Sequence, residues 1–315
     1  MLTEKDRKIL YQLDMNSRMS TQKIAMKSKL RKETVAFRMR RMDCIKKYYA
    51  LCDSTLLGYT NYKLYLHLQN MDKIAAKKFH SRMMGIPQLS FLAYCSGRYD
   101  CTAAFWAKNP SEFNDIVFAL TAKLSKYIVS KEMVANARWF VCNRKWLVEK
   151  EVAKINSIHF GENAKPVSLD TLDSRIIEIL NKNARAKITD MASSAGTSSP
   201  VVIQRIKRMQ NLGYIKLFTF DFDLEKIGME FAKVLVTLQS TSMEKAEALL
   251  QHLKRHPNVR TIVHTVGPWD MEIELEVKNF RHLSEILSEL RTRFPVIRSA
   301  EALMFTEQYS KNFAL

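Results

Sequence analysis

Three features of the sequence predict an α+β chain made of two copies of one module. The first is self-similarity. Leu2, Asp6, Ile9, Leu13, Asn16, Arg18, Ala25, Arg38, Arg41 and Met42 meet Leu169, Asp173, Ile176, Leu180, Asn183, Arg185, Ala192, Arg205, Arg208 and Met209 in a single register. After a three-residue insertion in the second copy, Gly58, Gly97, Asp100, Ile116 and Leu120 meet Gly228, Gly267, Asp270, Ile286 and Leu290. The second feature is periodicity: each copy opens with helical apolar spacing and continues with segments that alternate like strands. The third is punctuation, with Gly, Asn and Pro falling between these segments rather than inside them. A self-similar pair of this length fits two folding units, not a solenoid.

The second copy is the clearer one. Leu172, Ile176, Ile177 and Leu180 form the apolar stripe of a first helix, with Thr171 as its expected cap. Ile188 to Ala195 reads as a short second helix opened by Thr189 and stopped by Gly196, a residue that adopts the left-handed terminus at little cost. Ser199 is expected to cap a third helix with Pro200 in its first turn, and Val202, Ile206 and Met209 face inward. Gly213 stops that helix, and Ile215 to Phe222 alternates as a strand. Three helices with a tight turn before the third, followed by a strand, make a winged helix-turn-helix. In that motif the third helix enters the major groove. Ser198, Ser199, Val201, Gln204 and Arg205 are then nearest the bases, with Lys207 and Arg208 beside the phosphates.

The first copy follows the same plan with a more basic surface. Its third helix spans about Lys32 to Met42, with Val35, Met39 and Met42 inward. Arg31, Lys32, Thr34, Arg38, Arg40 and Arg41 lie outward, and Lys46 and Lys47 just beyond. Lys29 stands where the second copy has Gly196, so a less regular or strained turn is expected there.

The remainder of each copy reads βαββαβ. In the second copy the strands are Phe231 to Gln239, Val259 to Thr265, Met271 to Val277 and Ala300 to Thr306. Its helices are Met243 to His256 and Phe280 to Phe294. In the first copy the strands are Tyr62 to Leu68, Leu89 to Cys95, Thr102 to Trp106 and one within Met133 to Val141. The helices there are Lys73 to Met84 and Glu112 to Lys126. This is the order of a ferredoxin-like unit. The expected domains are 1–55 and 169–223 for the winged helices, 56–146 and 224–315 for the ferredoxin-like units, and 147–168 for an exposed linker.

The net charge of +18 is unevenly placed. Residues 1–150 carry 28 Lys and Arg against 12 Asp and Glu, whereas 151–315 carry 22 against 20. A field concentrated in the first half attracts polyanions, nucleic acid first. The five cysteines (Cys44, Cys52, Cys95, Cys101 and Cys142) form no CxxC pair and read as free thiols of a reducing compartment. The charged start is unlike a secretory signal, and no apolar run reaches the roughly 18 residues of a membrane helix. A soluble, cytoplasmic protein without membrane contact is expected.

The Leu-x3-Asp-x2-Ile-Ile/Leu opening, the Leu57–Gly58 and Ile227–Gly228 pairs, and the Gly-x-aromatic-Asp turns, in this order of elements, resemble the Lrp/AsnC (feast/famine) transcription regulators. The resemblance covers nearly the whole chain, twice. It implies sequence-specific binding of double-stranded DNA, and pairing of the two halves as an intramolecular pseudo-dimer. It further implies association into homo-oligomers and an amino acid or similar small effector held between paired domains. Carried over position by position, the effector site is Gly97, Tyr99 and Asp100 with Gly267, Trp269 and Asp270. Each triplet is equally readable as a tight hairpin whose Asp caps its own turn. Two further readings stay open: an effector-binding or assembly protein without DNA binding, and a tetrapyrrole decarboxylase. The second calls for His and Arg at the junction between winged helix and sheet, and Cys52 to Tyr59 and Phe218 to Met229 contain neither. No catalytic motif, cofactor or metal site is read. His252 and His256 have a metal-capable spacing but no third ligand suggests itself, and Trp106, Trp139, Trp146 and Phe140 read as core and seam residues.

Overall fold

The computed structural model describes residues 2–149, 154–161, 166–239 and 243–310. The first copy comprises α1 (Glu4–Met15), α2 (Thr21–Ser28), α3 (Lys32–Arg40), β1 (Ile45–Cys52), β2 (Thr60–Leu68), α4 (Lys73–Met84), β3 (Leu89–Gly97), β4 (Cys101–Ala107), α5 (Pro110–Leu124) and β5 (Ile128–Cys142). A short strand, β6 (Ser157–Phe160), lies between the copies. The second comprises α6 (Thr171–Lys182), α7 (Ile188–Ala195), α8 (Ser199–Asn211), β7 (Ile215–Phe222), β8 (Glu230–Leu238), α9 (Met243–Arg255), β9 (Val259–Val266), β10 (Met271–Val277), α10 (Phe280–Arg293) and β11 (Ile297–Ser310).

The local detail follows from capping chemistry. The first helix of each copy starts in a capping box, Thr3 with Asp6 and Asp170 with Asp173. Asp170, not Thr171, is therefore the cap. Ser198, not Ser199, is the N-cap position of α8, and Lys187, not Thr189, precedes α7, both without a side-chain cap bond. Lys29 takes the left-handed conformation (φ 54°) that Gly196 takes in the second copy (φ 69°). The turn is thus as regular as its counterpart, with the steric cost of a Cβ at positive φ, roughly 1–2 kcal/mol.

The two copies interlock in two places. At the first, β1 and β7 pair antiparallel with each other, so each wing strand reaches the other copy's helix-turn-helix as well as its own. Phe220 and Phe222 of β7 pack in the core of the first helix-turn-helix with Ile9, Leu10, Leu13 and Val35. Ala50 of β1, with Leu56, packs in the second, with Ile176, Leu180, Met191 and Val202. Sequence reading placed each wing with its own helices, because alternation shows which face is apolar but not which core covers it.

At the second, the ferredoxin-like units share their fourth strands. β5 pairs with β2 over its first half and with β9 over its second. Likewise β11 pairs with β8 and then with β3. The strand order β2-β4-β3-β11-β8-β10-β9-β5, with β5 also paired to β2, is therefore closed. Helices α4 and α5 cover the outer face of one four-stranded unit and α9 and α10 the other, over separate apolar cores. Within the segment 147–168, β6 pairs with the end of β5, and Leu147 and Phe160 are buried. Among the described residues no helix is long and apolar enough to cross a membrane.

Candidate functional site

The helix-turn-helix pair presents two unlike outer faces. On α3 the exposed residues are Lys32, Glu33, Phe37 and Arg40, flanked by exposed Arg31 and Arg41. The self-alignment matches these to Ser199, Pro200, Gln204, Lys207, Ser198 and Arg208. Arg41 lies over the Phe37 ring, its guanidinium 5.2 Å from the centroid. Thr34 and Val201 are half-buried.

Three of the arginines expected at DNA are engaged inside their own domain. Arg38 donates to Thr3 Oγ1 (2.8 Å) and Asp6 Oδ1 (2.9 Å). Arg205 pairs with Asp170 and Asp173, and Arg208 donates to Asp173 Oδ2 (2.7 Å). In both copies this brace ties the recognition helix to the capping box of the first helix. Lys46 lines an inner cavity described below, and the Lys47 ammonium lies 5.6 Å from the centre of the Tyr49 ring. Sequence reasoning found the basic face but did not separate its free cations from its braced ones, since the Asp partners lie one helix away.

Arg18 and Arg185, equivalent in the alignment, form a reciprocal clamp. Arg18 Nη1 donates to the carbonyls of Ala184 (2.5 Å) and Ala186 (3.4 Å), and Arg185 Nη1 donates to those of Ser17 and Met19 (3.1 Å). Each fastens the turn after the other copy's first helix. A second brace, around Asp14, joins the first helix-turn-helix to the sheets. Arg144 Nη1 donates to Asp14 Oδ1 (2.7 Å) and Arg144 Nε to Glu276 Oε1 (2.8 Å), with Trp146 Nε1 on Glu276 Oε2 (2.7 Å). Burial raises the Asp14 carboxyl, but Arg260 and Arg144 more than offset this and hold it below the usual range.

The two Gly-x-aromatic-Asp turns place their carboxylates alike but differ at the glycine, whose φ is positive at Gly97 (136°) and not at Gly267. Asp100 Oδ2 accepts from the Leu68 N–H (2.8 Å) and Asp270 Oδ2 from that of Leu238 (2.7 Å). Each carboxylate therefore ties its turn to the end of the neighbouring strand, β2 or β8, where the turn reading had it capping its own turn. Gly97 and Gly267 lie against the other copy's fourth strand: a Cβ would come within 2.5 Å of the Ala302 carbonyl at Gly97 and 3.3 Å of that of Met133 at Gly267. Tyr99 and Trp269 are buried in the seam around Tyr65, with ring centroids 5.2 and 4.9 Å from it.

Beside that aromatic core lies a buried ion cluster absent from the sequence reading. Lys63 and Lys233, equivalent in the alignment, both reach Glu272 Oε2 (2.5 and 2.9 Å), and Lys233 also reaches Glu274 (3.2 Å). Tyr65 donates to Glu272 Oε1 (2.7 Å). Burial raises the Glu272 carboxyl, yet Lys233 and Lys63 bring it down to about 2. Above this cluster a cavity of about 1020 Å³ opens between the sheets and the β1–β7 ribbon. Lys63, Lys233, Arg144 and Arg260 lie in its walls; none of the six turn residues does.

Two helix-turn-helix units joined by a shared wing ribbon, over a closed pair of ferredoxin-like units, define a DNA-binding, effector-domain architecture folded as an internal dimer. Comparison with known proteins agrees. Residues 169–210 match the AsnC-type helix-turn-helix domain and 232–315 the Lrp/AsnC ligand binding domain. Both matches fall in the second copy, which thus carries the two domains of the Lrp/AsnC regulators. An HTH-type transcriptional regulator of Pyrococcus abyssi is 28% identical over 140 residues, spanning 44% of this chain and 93% of its own length. The HTH-type transcriptional regulator LysM of Saccharolobus solfataricus is 27% identical over 125 residues, 40% of this chain and 85% of its own. Such relatives span one copy. The crystal structure of the siroheme decarboxylase NirDL, in complex with an iron-uroporphyrin III analogue, spans both: TM-score 0.63 over 98% of this chain and 93% of that one, at 11% identity. That likeness concerns the fold.

Proposed function

We propose that the protein is a sequence-specific DNA-binding transcription regulator, tuned by a small effector, in which the first copy supplies most of the phosphate affinity. The observation that carries this reading is the outer face of α3, where Arg31, Lys32, Arg40 and Arg41 stand exposed around Phe37. At the matching positions the second copy has Ser198, Ser199, Lys207 and Arg208, of which Arg208 is held by Asp173. Lys and Arg side chains of this kind displace condensed counterions from the duplex. Phe37 suits the methyl group of thymine, whereas Gln204 suits the edge of adenine, so the two half-sites differ and the operator is not a perfect palindrome. Gly97, Tyr99, Asp100, Gly267, Trp269 and Asp270, with the seam they line, remain the proposed place for an amino-acid effector, and homo-oligomers form through the outer surfaces.

The test is DNA selection from a random pool at physiological salt, followed by affinity against salt concentration. Affinity that falls steeply with salt supports regulation through DNA. Salt-independent or absent binding leaves an effector-binding or assembly protein.

A tetrapyrrole-processing enzyme is supported by the whole-chain fold alone. The cavity walls do contain arginines, supplied by Arg144 and Arg260 from outside the junction segments, but both are bound to Asp14, and no histidine is among the lining residues. Little is left to receive the carboxylates of such a ligand. Ultraviolet-visible titration with a tetrapyrrole separates the readings: a shifted absorption band would favour the enzyme.

A further inference from the structure

The cavity between the sheets and the wing ribbon is built unlike an anion site. Its deep charges are matched internally: Lys63 and Lys233 by Glu272 and Glu274, and Arg144 and Arg260 by Asp14 and Glu276. The exposed residues of its lining include Glu225, Glu230 and Glu307 against Lys46. An anionic ligand would face carboxylates on entry and would find paired cations inside.

What the lining offers instead is aromatic surface and one hydrogen-bonding edge. Trp106 and Trp139 stand 6.1 Å apart at 49°, and Trp139 stacks on Phe160 at 5.1 Å. Phe231 and Phe305 line the same cavity, their centroids 5.4 Å apart. The edge comes from Asn61 and Asn136, each 8% exposed and both lining the cavity. Asn136 Nδ2 donates to Asn61 Oδ1 (2.7 Å), and Asn61 Nδ2 in turn reaches Ser90 Oγ (3.5 Å). Asn136 Oδ1 is left as a buried acceptor with no hydrogen-bond partner among the described residues. A buried carbonyl oxygen without a donor is unfavourable, so an atom of this kind is a place where a ligand N–H gains affinity.

We propose that this cavity binds an uncharged, planar fused-ring heterocycle carrying a ring or exocyclic N–H, such as a purine nucleoside or an isoalloxazine. The ring lies against the Trp106–Trp139–Phe160 surface and its N–H donates to Asn136 Oδ1. The volume is that of a site for a molecule of this size. Because Tyr49, Leu51 and Phe222 of the ribbon line the same space, the ligand touches the strands that carry both helix-turn-helix units. The site is distinct from the turn residues proposed for an amino acid, and its occupancy is measurable without DNA.

The experiment is equilibrium dialysis of the full chain, with tryptophan and flavin fluorescence as the second readout. Adenosine and riboflavin serve as neutral probes, and uroporphyrin III and L-leucine as charged ones. At least one neutral probe is expected to bind one per chain at micromolar concentration and to quench fluorescence, with the charged probes at least tenfold weaker. Asn136→Leu should weaken the neutral probe at least tenfold, and Asn136→Asp, which keeps an acceptor oxygen at Cγ, should retain more of it. Circular dichroism melting of both variants checks that they fold. The proposal is overturned if neither neutral probe binds, if uroporphyrin or leucine binds more tightly, or if folded Asn136→Leu binds as the natural chain does.

Discussion

Replacing Arg144 by Met keeps most of the side-chain volume and removes one charge from the brace between the first helix-turn-helix and the sheets. Arg144 is 6% exposed, so the groups it leaves cannot turn to water. Glu276 loses both bonds to Nε (2.8 and 3.1 Å) and keeps Trp146 Nε1; Asp14 keeps its backbone donor, Thr219 (3.3 Å) and Arg260 (3.5 Å). Breaking a buried pair by removing one partner costs about 3–5 kcal/mol, because the other charge stays buried. A chain of 315 residues has an unfolding entropy of roughly 0.66 kcal/mol/K at about 2.1 cal/mol/K per residue, so the melting temperature should fall by about 5–8 °C at pH 7. The pH dependence carries a sign. In the natural chain the depressed Asp14 contributes stability that is present above the unfolded carboxylate range and lost only as pH falls through the lower folded value. In Arg144→Met the Asp14 carboxylate, having lost Arg144, takes up a proton more readily, so the gap to the natural chain should narrow from pH 7 to pH 5. Calorimetric melting at both pH values is the assay. A fall below 2 °C, or a gap that does not change with pH, would refute the reasoning.

Other perturbations address other parts of the molecule. Arg40→Ala with Arg41→Ala should reduce the slope of log affinity against log salt by about 2 while leaving melting unchanged, because these are free surface cations. Arg38→Ala should instead lower the melting temperature slightly, since it releases Asp6 from the brace; unchanged melting would place Arg38 at DNA. Gly97→Ala should cost about 2 kcal/mol or more, its φ of +136° and the 2.5 Å approach to the Ala302 carbonyl being incompatible with a Cβ, whereas Gly267→Ala should cost under about 1 kcal/mol, and equal losses would contradict this. His256 and His264 are both pushed down to about 4, chiefly by burial, with His252 adding at His256 and Arg138 at His264. They are neutral when folded and charge freely when unfolded, so their stability is present above about pH 6.5 and is lost as pH falls from there toward 4. At about 1.4 kcal/mol per unit each accounts for at most about 3.5 kcal/mol, and His256→Gln with His264→Gln should flatten the melting profile between pH 6.5 and 4.5.

Much of this architecture could be read without coordinates because the relevant signals are local. The apolar stripe of Leu172, Ile176, Ile177 and Leu180 reports a buried helix face, and the alternation in Met271 to Val277 reports a strand, since burial imposes those periods on whichever chain segment it covers. The charge contrast between α3 and α8 is a property of composition, and so is the repeat. Pairing between copies left no such mark. Backbone hydrogen bonds between β1 and β7, or between the second halves of β5 and β11 and their new neighbours, use groups every residue possesses, so the strands look alike whichever partner they take. The fates of single charged residues depend on tertiary distance in the same way. Arg38, Arg205 and Arg208 stand on the outward face in any helical reading, and only the position of Asp6 and Asp173 turns them into braces. Lys63, Lys233 and Glu272 look like ordinary polar positions in a half-exposed strand until the sheets close over them. The modules, their duplication and the unequal charge of their third helices are set by local residue patterns alone. The tertiary structure decided which copy completes which core, which cations remain free, and where a cavity forms between ribbon and sheets, because these follow from distances between segments that lie far apart along the chain.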